Sequence, residues 1–168
     1  GRAAQRGLLS YQRSPKTANY LASAQGTLGL VTSLPAQTNT AAKSGSPLKC
    51  RDGAVVGKYN TSRAALDALA RVMNKNRGML PNDVGAGPNI TGTALGVIAL
   101  RSAKMRASTV NTAVKRLKTR AKKYTQATTT PNAGALGTLL LTASTTGQNP
   151  ARFGGVNLTR TLQSTRQG

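Results

Sequence analysis

The chain has 168 residues and sets 24 Lys and Arg against three Asp, with no Glu and no His, for a formal net charge of +21. A surplus of that size cannot be neutralised within the chain, so it must face water, counterions or an acidic partner. Three scattered carboxylates, a single Cys and no His provide neither a Ser-His-Asp nor a Cys-His arrangement and no converging set of metal ligands, so the composition reads as that of a non-enzyme.

Apolar residues make up 38% of the chain and many of them are Ala; the aromatics are Tyr11, Tyr20, Tyr59, Tyr124 and Phe153, with no Trp. Large side chains supply most of the burial free energy, and here they are few. The fold expected is mainly α: two to four helices, a small core and long irregular arms, ordered by the assembly the chain joins. One cysteine excludes an internal disulfide. No apolar run approaches the ~20 residues that span a bilayer. Gly1 in place of Met is what a processed product would show, and a trimmed chain would look the same.

Residues 1–49 read as an extended basic arm. Arg2, Arg6, Arg13 and Lys16 lead into a Ser/Thr/Gly/Pro-rich stretch, with one short helix expected around 17–25. Residues 50–127 form a helical segment. Cys50-Arg51-Asp52-Gly53 has the composition of a turn. Thr61 or Ser62 is a suitable N-cap for a helix over 62–77, with Leu66, Leu69 and Met73 as its apolar stripe. Asp67 and Arg71 stand four apart in the favourable order, and Gly78 and Pro81 end the helix. Residues 79–92 are a Gly/Pro/Asn loop, followed by a helix over 93–106.

Ser108 is then placed to cap a helix over 109–126, whose face Val110, Ala113, Val114, Leu117, Ala121 and Tyr124 repeats at helical spacing. Residues 128–168 read as a basic C-terminal arm with one short helix at 133–142, running out through Pro150, Arg152, Gly154, Gly155, Arg160 and Arg166. Asn60, Asn89 and Asn157 match the glycosylation sequon, an expected accident in so Thr-rich a chain.

Two constellations carry chemistry. Lys115, Arg116, Lys118, Arg120, Lys122 and Lys123 crowd the polar side of the 109–126 helix and could bind an acidic surface or phosphates. Charge runs are more commonly solvated faces, and Tyr124 alone offers little base stacking. The second constellation is Cys50. Lys49, Arg51, Lys58 and Arg63 around it favour the thiolate, which suits a thioether link to a prosthetic group; the alternative is a small buried thiol.

Cys50, Asp52, Gly53 and Gly57, followed by Arg63 and the Ala/Leu helix with Leu66 and Leu69, resemble the Cys-x-Glu-Gly-x-x-x-Gly segment of red-algal phycoerythrin gamma chains, with Asp52 where that family has Glu. The resemblance covers residues 49–75 and implies a phycobilisome linker. Such a linker would thread acidic phycobiliprotein rings, contacting their alpha and beta chains and other linkers at the stromal face of the chloroplast thylakoid. It also implies at most one bilin, phycoerythrobilin or phycourobilin, on Cys50. Arg51, Lys58 and Arg63 would then pair with its propionates, and Asp52 would bond its pyrrole nitrogens. Two other readings answer to the charge: an organellar ribosomal or other nucleic-acid-binding structural protein, and a basic minor capsid cement protein.

Overall fold

In the computed structural model, which describes residues 19–30, 61–83, 85–126 and 130–165, asparagine starts most of the helices. The elements are α1 (Tyr20–Leu30), α2 (Thr61–Lys75), β1 (Leu80–Pro81), β2 (Pro88–Asn89), α3 (Ile90–Ser102), α4 (Ala107–Thr125), α5 (Ala133–Thr145), a single 3-10 turn (Pro150–Arg152) and α6 (Leu158–Ser164). Asn19, Asn89, Asn132 and Asn157 stand just before α1, α3, α5 and α6, and each accepts a first-turn N–H, from Ala22, Gly92, Ala135 and Arg160, at 2.7–3.0 Å. Asn149 does the same for the 3-10 turn. An amide oxygen at this position satisfies a donor that the helix leaves open. Two of the sequon asparagines, Asn89 and Asn157, are therefore caps.

The class is mainly α, with 71% of the described residues helical. The expectation of two to four helices was too low: there are six among the described residues. Helices stand at 20–30, 61–75, 90–102, 107–125 and 133–145, close to the predicted positions, with starts displaced by up to three residues. Ser108 is not the cap of α4. That helix begins at Ala107, and the preceding residue, Arg106, is left-handed (φ 51°) and makes no side-chain cap bond. The side chains of Thr61 and Ser62 lie outside those described.

The organising element is α3. No charge interrupts it before Arg101, and Gly92, Thr93, Ala94, Gly96, Val97, Ile98, Ala99 and Leu100 are all buried. A helix apolar on all sides has to be surrounded, and α1, α2, α4 and α5 pack around it. The stripes of α2 and α4 face inward as their spacing requires. Leu66, Leu69 and Met73, and Val110, Ala113, Val114, Leu117 and Ala121, are buried, while Tyr124 is half-buried. At Gly96 an added Cβ would meet Leu69 Cδ2 at 3.3 Å and Met73 Sδ at 3.5 Å, so α2 and α3 approach closely through a small residue.

The C-terminal region departs most from expectation. Residues 130–165 are not an extended arm. α5 and α6 pack on one another, and Leu136, Leu139, Ala143, Phe153, Val156 and Leu158 join the common core. Phe153 and Val156 exchange backbone hydrogen bonds across a turn at Gly154 (φ 59°) and Gly155 (φ 80°), the left-handed pair that such a tight reversal needs. This turn lies on α4: a Cβ at Gly154 would stand 2.0 Å from the Lys118 carbonyl oxygen. Threonine supplies much of what the periodicity lacked. Thr138, Thr142 and Thr146 each donate a hydroxyl to the carbonyl four residues back, which lets Thr142 be fully buried.

Gly147 is also left-handed (φ 66°) but has open space around it. Gly147→Ala is therefore expected to cost about 1 kcal/mol, the backbone term alone, and Gly154→Ala about 3 kcal/mol or more, because it adds a collision with backbone. Urea unfolding compares them, and equal costs would contradict the docking of this turn on α4. Leu139→Ala is expected to cost about 2–5 kcal/mol as a core truncation; a change within experimental error would return the region to an arm.

Candidate anion-binding groove

Helical geometry divides the α4 cations into two rows. Arg116, Arg120 and Lys123 recur at i, i+4 and i+7; Lys115, Lys118 and Lys122 recur at i, i+3 and i+7 on the other flank. Along the first row runs a groove in two parts. One is a cleft of about 350 Å³ lined by Lys75, Asn76, Arg77, Met79, Leu80, Pro81, Gly87, Pro88, Arg116 and Arg120. The other, of about 230 Å³, is lined by Pro88, Ile90, Arg120, Lys123 and Tyr124. They share Pro88 and Arg120, so a strongly cationic part runs into a more apolar one.

The end of α2 completes the cationic part. Gly78 N–H donates to the Met73 carbonyl at 2.7 Å and closes the helix. Gly78 is itself pressed onto α4, where a Cβ would meet Thr112 Cγ2 at 2.8 Å. That abutment carries Lys75 and Arg77 alongside Arg116. Arg77 is held at φ 55°, a left-handed backbone normally given to Gly or Asn. The opposite wall is the β1–β2 hairpin, paired Leu80 to Asn89 and Pro81 to Pro88. Leu80 N–H donates to Thr93 Oγ1 at 2.9 Å, and a 2.7 Å hydrogen bond joins Thr91 Oγ1 to the Tyr124 hydroxyl. The hairpin is thereby tied to α3, and α3 to α4.

Acids are committed elsewhere. Asp67 Oδ1 accepts from Arg106 Nε and Nη2 at 2.9 and 2.8 Å. Asp83 accepts the Tyr20 and Leu21 N–H groups at 2.7 and 3.4 Å, a carboxylate on the positive end of α1. No carboxylate lines either part of the groove among the described residues. Asp52 lies outside them.

The predicted partner-binding cations are thus sorted by the fold. Arg116, Arg120 and Lys123 line the groove; Lys115 and Lys122 are exposed on the other flank. Lys118 is turned inward: its ammonium donates to Gln148 Oε1 and stands 5.7 Å from the Phe153 ring centroid, a cation–π distance. Of the Cys50 constellation only Arg63 is described, exposed on α2; Cys50, Arg51, Asp52 and Lys58 lie outside the described residues. Lys75 and Arg77 were missed by sequence reasoning. Gly78 was legible as a helix stop, but nothing local announced that the stop would rest on α4.

No protein-family model matches the chain, and no curated protein or solved structure is detectably similar to it.

Proposed function

We propose that this chain is a non-catalytic linker that docks onto an acidic protein assembly through the cationic side of α4 and the end of α2. The observation that carries the reading is the shortage of internal counterions. Arg116, Arg120, Lys123, Lys75 and Arg77 gather along one groove, while both described carboxylates are bound to other parts of the fold. Gathering like charges costs self-repulsion that an external acid relieves. A partner with complementary potential would gain both encounter rate and register from such a face.

The resemblance over residues 49–75 supplies the specific form of the proposal: a phycobilisome linker held within acidic phycobiliprotein rings at the stromal face of the thylakoid. A bilin on Cys50 is the further step of the same reading. The competing nucleic-acid reading draws on one feature of the groove, Tyr124 beside Arg120 and Lys123, where a base could stack against the ring.

Nuclease treatment of the native particle followed by sedimentation separates the two. The linker is expected to stay with its acidic protein partners after digestion, and its release would overturn the proposal. Lys115→Glu, Arg116→Glu, Lys122→Glu and Lys123→Glu together are expected to abolish co-sedimentation while leaving the far-ultraviolet circular dichroism helical, because the buried stripe of α4 is untouched. For the cofactor, the native chain is expected to weigh about 590 Da more than its sequence mass, a thioether-linked bilin on a reactive thiolate; an unmodified mass would end the bilin claim and leave the linker role.

A further inference from the structure

Resting on that reading, we propose that the groove along Arg116, Arg120 and Lys123 seats an extended acidic segment of the partner, with one apolar side chain of that segment lodged against Pro88, Ile90 and Tyr124. The groove has the two chemistries such a segment presents. Its larger part is lined by four cations, Lys75, Arg77, Arg116 and Arg120, and by apolar Met79 and Leu80. Its smaller part sets aliphatic Pro88 and Ile90 and a single aromatic ring, Tyr124, beside Arg120 and Lys123. A stacking platform for bases uses several open aromatic faces; one half-buried Tyr among aliphatic neighbours suits a Leu or Phe side chain better.

Spacing agrees with an extended chain. Arg116 and Arg120 lie four residues apart on a helix, a rise of about 6 Å. Alternate side chains of an extended peptide project to one side about 6.6 Å apart. Two carboxylates at alternating positions therefore match the two arginines in turn, with Arg120 Nη1 also donating to the Arg116 carbonyl and Thr119 Oγ1 at 3.5 and 3.3 Å. Arginine at both positions favours this pairing, since its planar fork matches a carboxylate in two parallel hydrogen bonds. The groove is also preformed. Its hairpin wall carries Pro81 and Pro88, is closed by the Asn82 N–H to Gly87 carbonyl bond at 3.1 Å, and is fixed to α3 by Thr93. Little ordering is then required of the protein when the segment binds.

Fluorescence anisotropy with the full chain in about 0.15 M salt tests this. The probes are a labelled Glu-rich peptide of about eight residues with one central Leu, the same peptide with Ser in its place, and a single-stranded oligothymidine of equal charge. The wild-type chain is expected to prefer the Leu peptide over the Ser peptide by about fivefold. Arg116→Gln with Arg120→Gln is expected to weaken the Leu peptide by about tenfold or more. Lys115→Gln with Lys122→Gln removes the same charge from the other flank and is expected to weaken it less than about threefold. Arg116→Lys with Arg120→Lys keeps the charge and the helix but removes the fork, and is expected to lose about fivefold; it also guards against misfolding of the neutral pair. Equal losses from the two neutral pairs, no preference for Leu over Ser, or tighter groove-dependent binding of the oligonucleotide would each overturn the assignment. Co-sedimentation that survives nuclease would leave the linker reading standing after such a failure, whereas release by nuclease would remove that reading whatever the peptides do.

Discussion

Everything in the described fold depends on burying α3 from all sides. A helix carrying no charge from Ile90 to Leu100 cannot face water on any flank, so α1, α2, α4 and α5 must enclose it. That requirement turns the amphipathic helices α2 and α4 stripe-inward and sends most of their cations outward, Lys118 excepted. It also recruits the C-terminal region, because α5 packs against α3 as well. Small residues make the enclosure close: Gly96 admits Leu69 and Met73 of α2, and Gly154 admits the backbone of α4. The groove follows from the same packing, since the end of α2, the hairpin and α4 meet where each turns around α3.

Charge sets the second constraint. With three acids in the whole chain, each described carboxylate is spent where it does structural work. Asp67 grips Arg106, a left-handed residue ahead of α4, and Asp83 sits on the N-terminus of α1. The Asp67–Arg106 pair is solvent-accessible and contributes at most about 1 kcal/mol. Its main consequence is geometric: it joins α2 to the start of α4 on the outside of the molecule. Among the described residues no carboxylate is left to line the groove beside Arg77, Arg116 and Arg120, and the proposed attraction of an external acid rests on that.

The sequence disclosed the two amphipathic helices best, because Leu66, Leu69 and Met73 and the Val110-to-Tyr124 face repeat at 3.6-residue spacing. Helices α3 and α5 were harder. Their apolar residues have no polar face to set a period against, and they are interrupted by Gly and Thr. Treating Thr as polar hid part of the core: Thr27, Thr93, Thr109, Thr125 and Thr142 are buried, several of them with the hydroxyl returned to their own helix. The short α6 and the Gly154-Gly155 turn have no local signature beyond Asn157 and the glycines. The site divides in the same way. The α4 cations were legible as a cluster, but their division into a groove row and an outer row depends on where the hairpin and the end of α2 come to rest. Those contacts are long-range and leave no trace in local spacing.

The central claim is that the groove and the α4 cations face carboxylates of a protein partner. Carbodiimide cross-linking of the native particle tests it most directly, because it joins a lysine ammonium to an Asp or Glu carboxylate only where the two are in contact. Mass spectrometry of the cross-linked peptides should find Lys75, Lys123 and Lys122 joined to acidic residues of other polypeptides, with Lys118, already bound to Gln148, joined far less. Cross-links absent from Lys75 and Lys123, together with ultraviolet cross-links from the same segment to nucleic acid, would contradict the account.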